Sequence, residues 1–327
     1  MFTQRRQLLQ LALGSAASTL PLLGQAQTAE SAKILAGFAA GGTIDTLARR
    51  VATKMGGGYA RSVVVDNRPG AGGQIAISAL KAAAPDGNTL LVTPMSMLGI
   101  YPHTYRKLPY DPVADLTPVS LGVEFDMGFA VGPMVPASVK TVPEFLAWCE
   151  ANKQQANFGS PAPGSVPHFV GVLIGRAGKV ALQHVGFRGS QPAIMDMLGG
   201  QIAAVSAPVG EFLPHLAGGK LRVLATSGAK RNRFVPGVPT LVEQGYKDLV
   251  YGEWFGFYLP GKATPEVVQR ANAAVRAALA ANDVIDGLAA MGLEARGSSS
   301  AELAALLKAD TERWGPIVKS IGFTAES

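Results

Sequence analysis

The chain has 327 residues, of which 48% are hydrophobic and 16% are charged, and its formal net charge is +6 at pH 7. This length and apolar content suffice for two well-buried cores and exclude a disordered or fibrous protein. Because the basic residues are dispersed, apart from one cluster at 230–233, the sequence favours a mildly basic solvated surface and predicts no nucleic-acid partner.

The first 26 residues have the features of a signal peptide. Arg5 and Arg6 precede an apolar run at 8–23, and the small residues Gly24 and Ala26 follow it. A membrane anchor is the alternative, but a run of about 16 residues is shorter than the roughly 20 that span a bilayer. We therefore predict export to the periplasm with cleavage near Ala26. The paired arginines resemble a twin-arginine signal, and the general secretory route stays equally open.

After this segment, short apolar strands alternate with amphipathic helices. The pattern predicts strands at 34–38, 63–65 and 89–93 and helices at 44–55 and 74–83. Thr43 is the expected N-cap of the first helix. An order of β-α-β-α-β predicts a parallel sheet that helices cover on both faces.

The alternation restarts after an apolar crossing segment at 119–131 and stops before a second crossing segment at 251–259. Between them the pattern predicts helices at 142–152, 166–177, 191–198 and 211–217 and strands at 157–160, 182–187, 202–206 and 221–226. A helical tail follows, in which Ser299 and Glu302 have the spacing of a capping box.

This order predicts an α/β fold with two lobes, because the chain leaves the first lobe, builds the second and returns. Each lobe is expected to contain a mixed or mostly parallel sheet flanked by helices, with two hinge crossings between the lobes. Lobe one is predicted to comprise 27–124 and 252–327, and lobe two 125–251. Ligands of open α/β sheets bind beyond the carboxyl ends of the strands, so the two lobes should share one cleft.

The loop between the first strand and the first helix is the main candidate for ligand binding. Its glycines, Gly41 and Gly42, allow a ligand to approach the backbone, and free N–H groups at the helix start favour an anion. Asp45, in the first turn, would compete with that anion for the helix dipole. A tight turn with no ligand is the structural alternative.

A second strand-to-helix loop, at 159–165, mirrors the first. Ser160 and Ser165 can donate hydrogen bonds, and His168 lies on the first turn of the following helix, where packing or capping is the alternative to a ligand contact. Arg188 follows the next strand and could pair with a carboxylate, with surface solvation as the alternative.

No motif for nucleotide, metal or covalent chemistry occurs in the sequence. The run at 70–73 lacks the third glycine of a dinucleotide-binding loop, the four histidines stand far apart, and no nucleophile elbow is present. The single cysteine, Cys149, cannot form an internal disulfide and is expected to be buried. We therefore predict no cofactor, no metal and no enzymatic activity.

Five strings distributed along the chain carry a further signal: FAAGGTID at 38–45, DNRPGAGG at 66–73, APDG at 84–87, LPYDP at 108–112 and WFG at 254–256. Together they resemble the Bug family, the periplasmic solute-binding components of tripartite tricarboxylate transporters. The resemblance implies a type II periplasmic-binding-protein architecture that closes on its ligand like a flytrap. It also implies that main-chain N–H groups and ordered waters of the first loop, rather than an arginine clamp, hold a carboxylate.

The candidate ligand contacts combine the two loops with the positions that the resemblance carries over. In lobe one they are Phe38, Ala40, Gly41, Gly42, Thr43, Asp45, Met95 and Ser96. In lobe two they are Ser160, Gly164, Ser165, His168, Phe187, Arg188 and Ala207.

The chain departs from the family pattern at several of these positions. The family often has proline at Ala39, lysine at Arg188 and an acidic residue at Ala207. Losing that carboxylate argues against ligands with an amino group, such as acidic amino acids. Glu124 and Asp126 are acidic where the family is apolar or small, and both solvent exposure and replacement of the lost carboxylate stay open.

The predicted role is that of an extracytoplasmic receptor that captures a small carboxylate metabolite by lobe closure. The expected partners are the membrane permease subunits of a tripartite tricarboxylate-type transporter, and the receptor itself is expected to be a monomer. A sensor that presents its closed form to a membrane signalling partner is the alternative, because both roles use the same closure. Dicarboxylates, tricarboxylates, aromatic acids and amide-bearing acids all stay open as ligands.

Overall fold

The computed structural model describes residues 29–325, so the predicted signal peptide and its cleavage site lie outside the described residues. The first stretch of chain contains β1 (Ala29–Ala36), α1 (Thr43–Met55), β2 (Ala60–Asn67), α2 (Gln74–Lys81), β3 (Thr89–Pro94), α3 (Tyr101–Thr104) and β4 (Leu116–Val131). The middle stretch contains α4 (Val142–Ala151), β5 (Asn157–Ser160), α5 (Val166–Ala177), β6 (Gln183–Gly186), α6 (Ser190–Leu198), β7 (Ala204–Pro208), α7 (Leu213–Leu216) and β8 (Arg222–Thr226). The last stretch contains β9 (Gly252–Pro260), α8 (Pro265–Leu279), α9 (Asn282–Ala289), β10 (Glu294–Ala295) and α10 (Ser300–Ile321). Within the described part of the chain, no helix combines the length and the apolar character needed to cross a membrane.

The strands form two sheets of similar plan. In the first sheet β2, β1 and β3 are parallel, β9 lies antiparallel to β3 and to β4, and β10 pairs with the other edge of β4. In the second sheet β7, β5 and β6 are parallel, and β4 lies antiparallel to β7 and β8. We call the first sheet with its helices lobe one and the second sheet with its helices lobe two. The predicted α/β fold of two mixed sheets flanked by helices is therefore confirmed.

β4 belongs to both sheets. Its residues up to Asp126 pair with β9, whereas Met127 and the residues after it pair with β7 and β8. The chain returns to lobe one at Gly252, which pairs with Asp126. Ser227 ties the two crossings together, because its Oγ accepts the Met127 N–H at 2.9 Å and donates to the Tyr251 carbonyl. The lobes are thus joined by two adjacent chain crossings that share one buried serine.

The helix α10 of lobe one also contacts lobe two. Trp314 lies against Phe169 of α5, with 5.9 Å between the ring centroids. Arg176, at the end of α5, donates hydrogen bonds to the carbonyls of Ser320 at 2.8 Å and Ile321 at 2.5 Å. These contacts attach α10 to α5 of lobe two.

Three local predictions differ from the structure. The N-cap of α1 is Gly42 rather than Thr43, and it makes no capping bond because glycine has no side chain. The first strand ends at Ala36, so the residues from 37 onward already belong to the loop. The helix predicted at 211–217 is a 3-10 turn, Val209–Phe212, followed by the single-turn α7, which ends before the glycines at 218 and 219.

Candidate functional site

A cavity lies between the two lobes, where the carboxyl ends of β1, β3, β5, β6 and β7 face one another. A water-sized sphere can occupy about 130 Å³ of it. Six of the predicted contacts lie in its lining, namely Phe38, Ala40, Gly42, Thr43, Ser165 and Arg188. Parallel strands bind ligands at their carboxyl ends, so this cavity is the place where the fold predicts a ligand site.

The first loop is held in shape by Asp45. Its Oδ2 accepts the Gly41 N–H at 3.0 Å and the Arg49 Nε–H at 2.9 Å, and its Oδ1 accepts a hydrogen bond from Asn67 at 2.9 Å. Asn67 also donates to the Phe38 carbonyl at 3.1 Å, which ties both ends of the loop to β2. Burial by itself would raise the pKa of Asp45, but these hydrogen bonds and the Arg49 charge outweigh it and lower the pKa. The Asp45 carboxylate therefore orders the loop through these hydrogen bonds and is not part of the cavity lining.

Glu211, which the sequence did not indicate, reaches the same loop from lobe two. Its Oε1 accepts the Thr43 N–H at 3.1 Å, and its Oε2 accepts a hydrogen bond from Gln191 at 2.6 Å. The residue lines the cavity and is 4% exposed. Thr43 is the first residue of α1, so the carboxylate lies at the positive end of the helix dipole. Ala207 occupies the position where the family often has an acidic residue, but Glu211 supplies a carboxylate to the cleft.

Glu253 of β9 is the second buried carboxyl of the cleft. Its Oε1 accepts the Ser96 N–H at 3.1 Å and a short hydrogen bond from the Ser96 hydroxyl. Ser96 Oγ in turn accepts the N–H of Val166, the first residue of α5 in lobe two, at 3.0 Å. Burial raises the pKa of Glu253 to about 7, while the Ser96 hydrogen bonds act in the opposite direction. Ser96, a predicted ligand contact, thus lies at a junction between the lobes, next to the cavity lining.

Arg188 is the cation of the cavity lining. Its side chain is exposed, and among the described residues no carboxylate lies within 4.0 Å of its guanidinium. It also lines an adjoining cavity with Phe187, which faces the glycine-rich loop at 69–73. A guanidinium in this position can pair with both oxygens of a ligand carboxylate.

His168 lies in a buried group behind the cavity. Its Nδ1 accepts the Gly164 N–H at 3.0 Å, and its ring centroid is 3.8 Å from that of His184. Burial lowers the pKa of His168 to about 3, so the ring is neutral and serves packing and capping here. The Ser160 hydroxyl pairs with His184 at 2.8 Å in the same group.

The other predicted contacts lie outside the lining of the cavity between the lobes. They are Gly41, Asp45, Met95, Ser96, Ser160, Gly164, His168, Phe187 and Ala207. Met95 and Ala207 are buried in the two cores. A direct ligand contact by any of these residues stays a prediction.

Glu124 and Asp126 line a separate cavity of about 400 Å³ at the hinge. Glu124 pairs with Arg296 at 2.9 Å, and Asp126 accepts a hydrogen bond from Asn232 at 2.9 Å. Burial raises the pKa of Asp126. Neither residue lines the cavity between the lobes, so neither replaces the lost family carboxylate there. No group of three metal-binding side chains was found among residues 29–325.

Comparison with known proteins identifies the family. The family model described as "Tripartite tricarboxylate transporter family receptor" matches residues 47–323. Protein BugT of Bordetella pertussis is 28% identical over 311 residues, which cover 95% of each chain. These matches confirm the resemblance to the Bug family and the prediction of a binding protein rather than an enzyme.

Two solved structures are similar in both fold and sequence. R. palustris Rpa4515 with adipate is 27% identical with a TM-score of 0.85, covering 90% of this chain and 98% of that one. MatC from Rhodopseudomonas palustris with bound malate is 30% identical with a TM-score of 0.80, covering 88% and 98%. With a cleft between two α/β lobes and a family match over most of its length, the chain belongs to the receptors of the tripartite tricarboxylate transporter family.

Proposed function

We propose that this receptor captures a small carboxylate in the periplasm by closing its two lobes and delivers it to the membrane permease subunits of a tripartite transporter. The observation that carries the proposal is the cavity between the lobes, which strand ends from both lobes line and which presents the guanidinium of Arg188. The malate and adipate in the two similar structures support a carboxylate ligand.

Closure is proposed to occur about the two crossings that Ser227 joins. The predicted boundary between the lobes, at 124–125 on the first crossing, lies two residues before Met127, where β4 changes sheets. A rotation at this point moves the first loop of lobe one relative to Arg188 of lobe two. The ligand would bind to both lobes only when they are closed, so binding should shift the population towards the closed form.

Six residues of the lining are the proposed ligand contacts: Phe38, Ala40, Gly42, Thr43, Ser165 and Arg188. The first loop supplies main-chain N–H groups other than those of Gly41 and Thr43, which Asp45 and Glu211 bind, and Arg188 supplies a positive charge. This combination suits one carboxylate head group, because a charge-assisted hydrogen bond is stronger than a neutral one.

The test begins with native mass spectrometry of freshly purified protein, which should find a small acid retained by the closed form. Calorimetry with malate, adipate and the acid so found then compares the wild-type protein with Arg188→Ala. Loss of one hydrogen-bonded charge pair should weaken binding by about 2 kcal/mol, or roughly 30-fold. Arg61→Ala is the matched control, because Arg61 is a surface residue of β2 whose side chain is 78% exposed.

X-ray scattering should show a smaller radius of gyration when the ligand is bound. A particle whose dimensions are the same with and without a tightly bound acid would contradict capture by closure. Equal affinity of Arg188→Ala and the wild type would remove Arg188 from the site. Delivery to the permease is tested separately, by uptake of the identified acid into vesicles that contain the permease subunits, with and without the receptor.

A further inference from the structure

A carboxylate of the protein itself lies at the anion site of lobe one. The N-terminus of α1 offers main-chain N–H groups and the positive end of the dipole of a 13-residue helix. Glu211 of lobe two accepts the Thr43 N–H there, although the two residues are 168 positions apart. Gln191 holds the other carboxylate oxygen at 2.6 Å. The carboxylate is therefore fixed at both oxygens, and it is buried between the lobes.

The charges of the cavity lining do not favour a second negative group on the ligand. Among the described residues, the charged members of the lining are Arg188, Glu211 and Glu253. With Glu253 protonated the formal charges cancel, and with Glu253 ionised the lining is negative. A ligand with two carboxylates can therefore pair only one of them with Arg188. Its second carboxylate would lie near the Glu211 carboxylate, which has the same charge.

The rest of the lining is largely apolar. Phe38, Pro94, Met97, Pro167 and Phe255 contribute rings and a thioether to the same lining. Such a wall accommodates an aliphatic or aromatic spacer, since apolar ligand surface is stabilised by leaving water. The lining thus carries two groups of opposite charge, a guanidinium from Arg188 and a carboxylate from Glu211.

We propose that Glu211 is a specificity-determining residue that selects a ligand with one carboxylate and, across an apolar spacer, an ammonium group. The ligand carboxylate pairs with Arg188, and the ammonium group donates a hydrogen bond to the Glu211 carboxylate. The ligand thereby satisfies Glu211 instead of competing with it for the Thr43 N–H. This proposal rests on the proposed carboxylate-receptor function and narrows its ligand class to amino acids whose two charges are separated.

The experiment is a matched calorimetric series at pH 7.5. The probes are 4-aminobutanoate, 5-aminopentanoate and 6-aminohexanoate, each paired with the dicarboxylate of the same carbon number: succinate, glutarate and adipate. An ammonium group with a pKa near 10.4 is fully charged at this pH. We expect the wild-type protein to bind at least one amino acid about tenfold or more tightly than its paired dicarboxylate.

Glu211→Gln should reverse that preference. The amide keeps the size of the side chain but loses the charge, so the amino acid should bind about 10- to 100-fold more weakly and the dicarboxylate more tightly. Glu211→Asp keeps the charge and should keep the order of affinities. Glu312→Gln, on the exposed face of α10, is the control that leaves both affinities unchanged. Thermal unfolding checks that each variant is folded.

Three results would overturn the proposal. If Glu211→Gln weakens both ligand types equally, Glu211 only helps to close the lobes. If the wild type prefers the dicarboxylates and the variant shows the same order, Glu211 does not select the ligand. When none of the six probes binds, the ligand class is wrong, whereas the carboxylate-receptor function fails only if native mass spectrometry also finds no bound acid.

Discussion

Glu253→Gln should remove a pH dependence of stability that one buried carboxyl creates. Glu253 is 5% exposed, and its nearest hydrogen-bond donors are the N–H and hydroxyl of Ser96. Burial raises its pKa from an ordinary 4.5 to about 7. Glutamine has the same shape and keeps an oxygen to accept the Ser96 hydrogen bonds, but it does not titrate. The variant therefore isolates the cost of ionising this group in the folded protein.

The sign follows from the direction of the pKa shift. The folded protein holds the proton more tightly than the unfolded chain, so the stabilising contribution is fully present below pH 4.5 and is lost as the pH rises through 7. A shift from 4.5 to 7 corresponds to roughly 3 kcal/mol in total. Between pH 5 and pH 8 the loss is about 2.5 kcal/mol.

Urea unfolding at pH 5, 6, 7 and 8 measures this loss. The free energy of unfolding of the wild type, minus that of Glu253→Gln, should fall by about 2.5 kcal/mol across the series. Groups that both proteins share and that do not interact with residue 253 cancel in the difference. Glu312 has an exposed carboxyl, so the free energy of unfolding of Glu312→Gln should change with pH in parallel with that of the wild type. Parallel curves for Glu253→Gln as well would show that Glu253 ionises in the folded protein as easily as in water, and the argument from burial would be refuted.

Two further substitutions test the loop and the hinge. Asp45→Asn places an amide nitrogen among hydrogen-bond donors, so it should destabilise the protein by about 2 kcal/mol. It should also speed hydrogen exchange of the Gly41 amide and weaken ligand binding. An unchanged exchange rate would mean that the loop is ordered without this carboxylate. Ser227→Ala leaves the buried Met127 N–H without its acceptor and should lower the free energy of unfolding by about 1–3 kcal/mol. An unchanged melting temperature would contradict this role of Ser227.

Local patterns in the sequence were sufficient for most of the elements that define the fold. The Ser299–Glu302 capping box is present with both of its reciprocal bonds, because the motif involves only four consecutive residues. The first strand begins earlier than its apolar pattern indicates. Its start is set by pairing with β2, in the register Ala29 to Ala60, and no local pattern contains that information.

The two carboxyl groups of the cleft could not be assigned from local patterns, because they act over long separations in sequence. Glu211 meets Thr43 across 168 positions, and Glu253 meets Ser96 across 157. One signal was available, since Glu211 lies three residues after a buried strand, at the carboxyl edge where ligands bind. Interpreting 211–217 as a helix concealed it, because a glutamate in the first turn of a helix is common for reasons of stability alone.

The contacts between the lobes follow one rule on both sides of the cleft. The first N–H of α1 in lobe one, from Thr43, is bound by Glu211 of lobe two, and the first N–H of α5 in lobe two, from Val166, is bound by Ser96 of lobe one. Each helix start therefore finds its acceptor on the opposite lobe. Opening the cleft would transfer both donors to water, where they are also satisfied, so each contact contributes only a small net free energy. Under the proposed closure, a ligand that binds to both lobes can therefore shift the equilibrium between the open and closed forms.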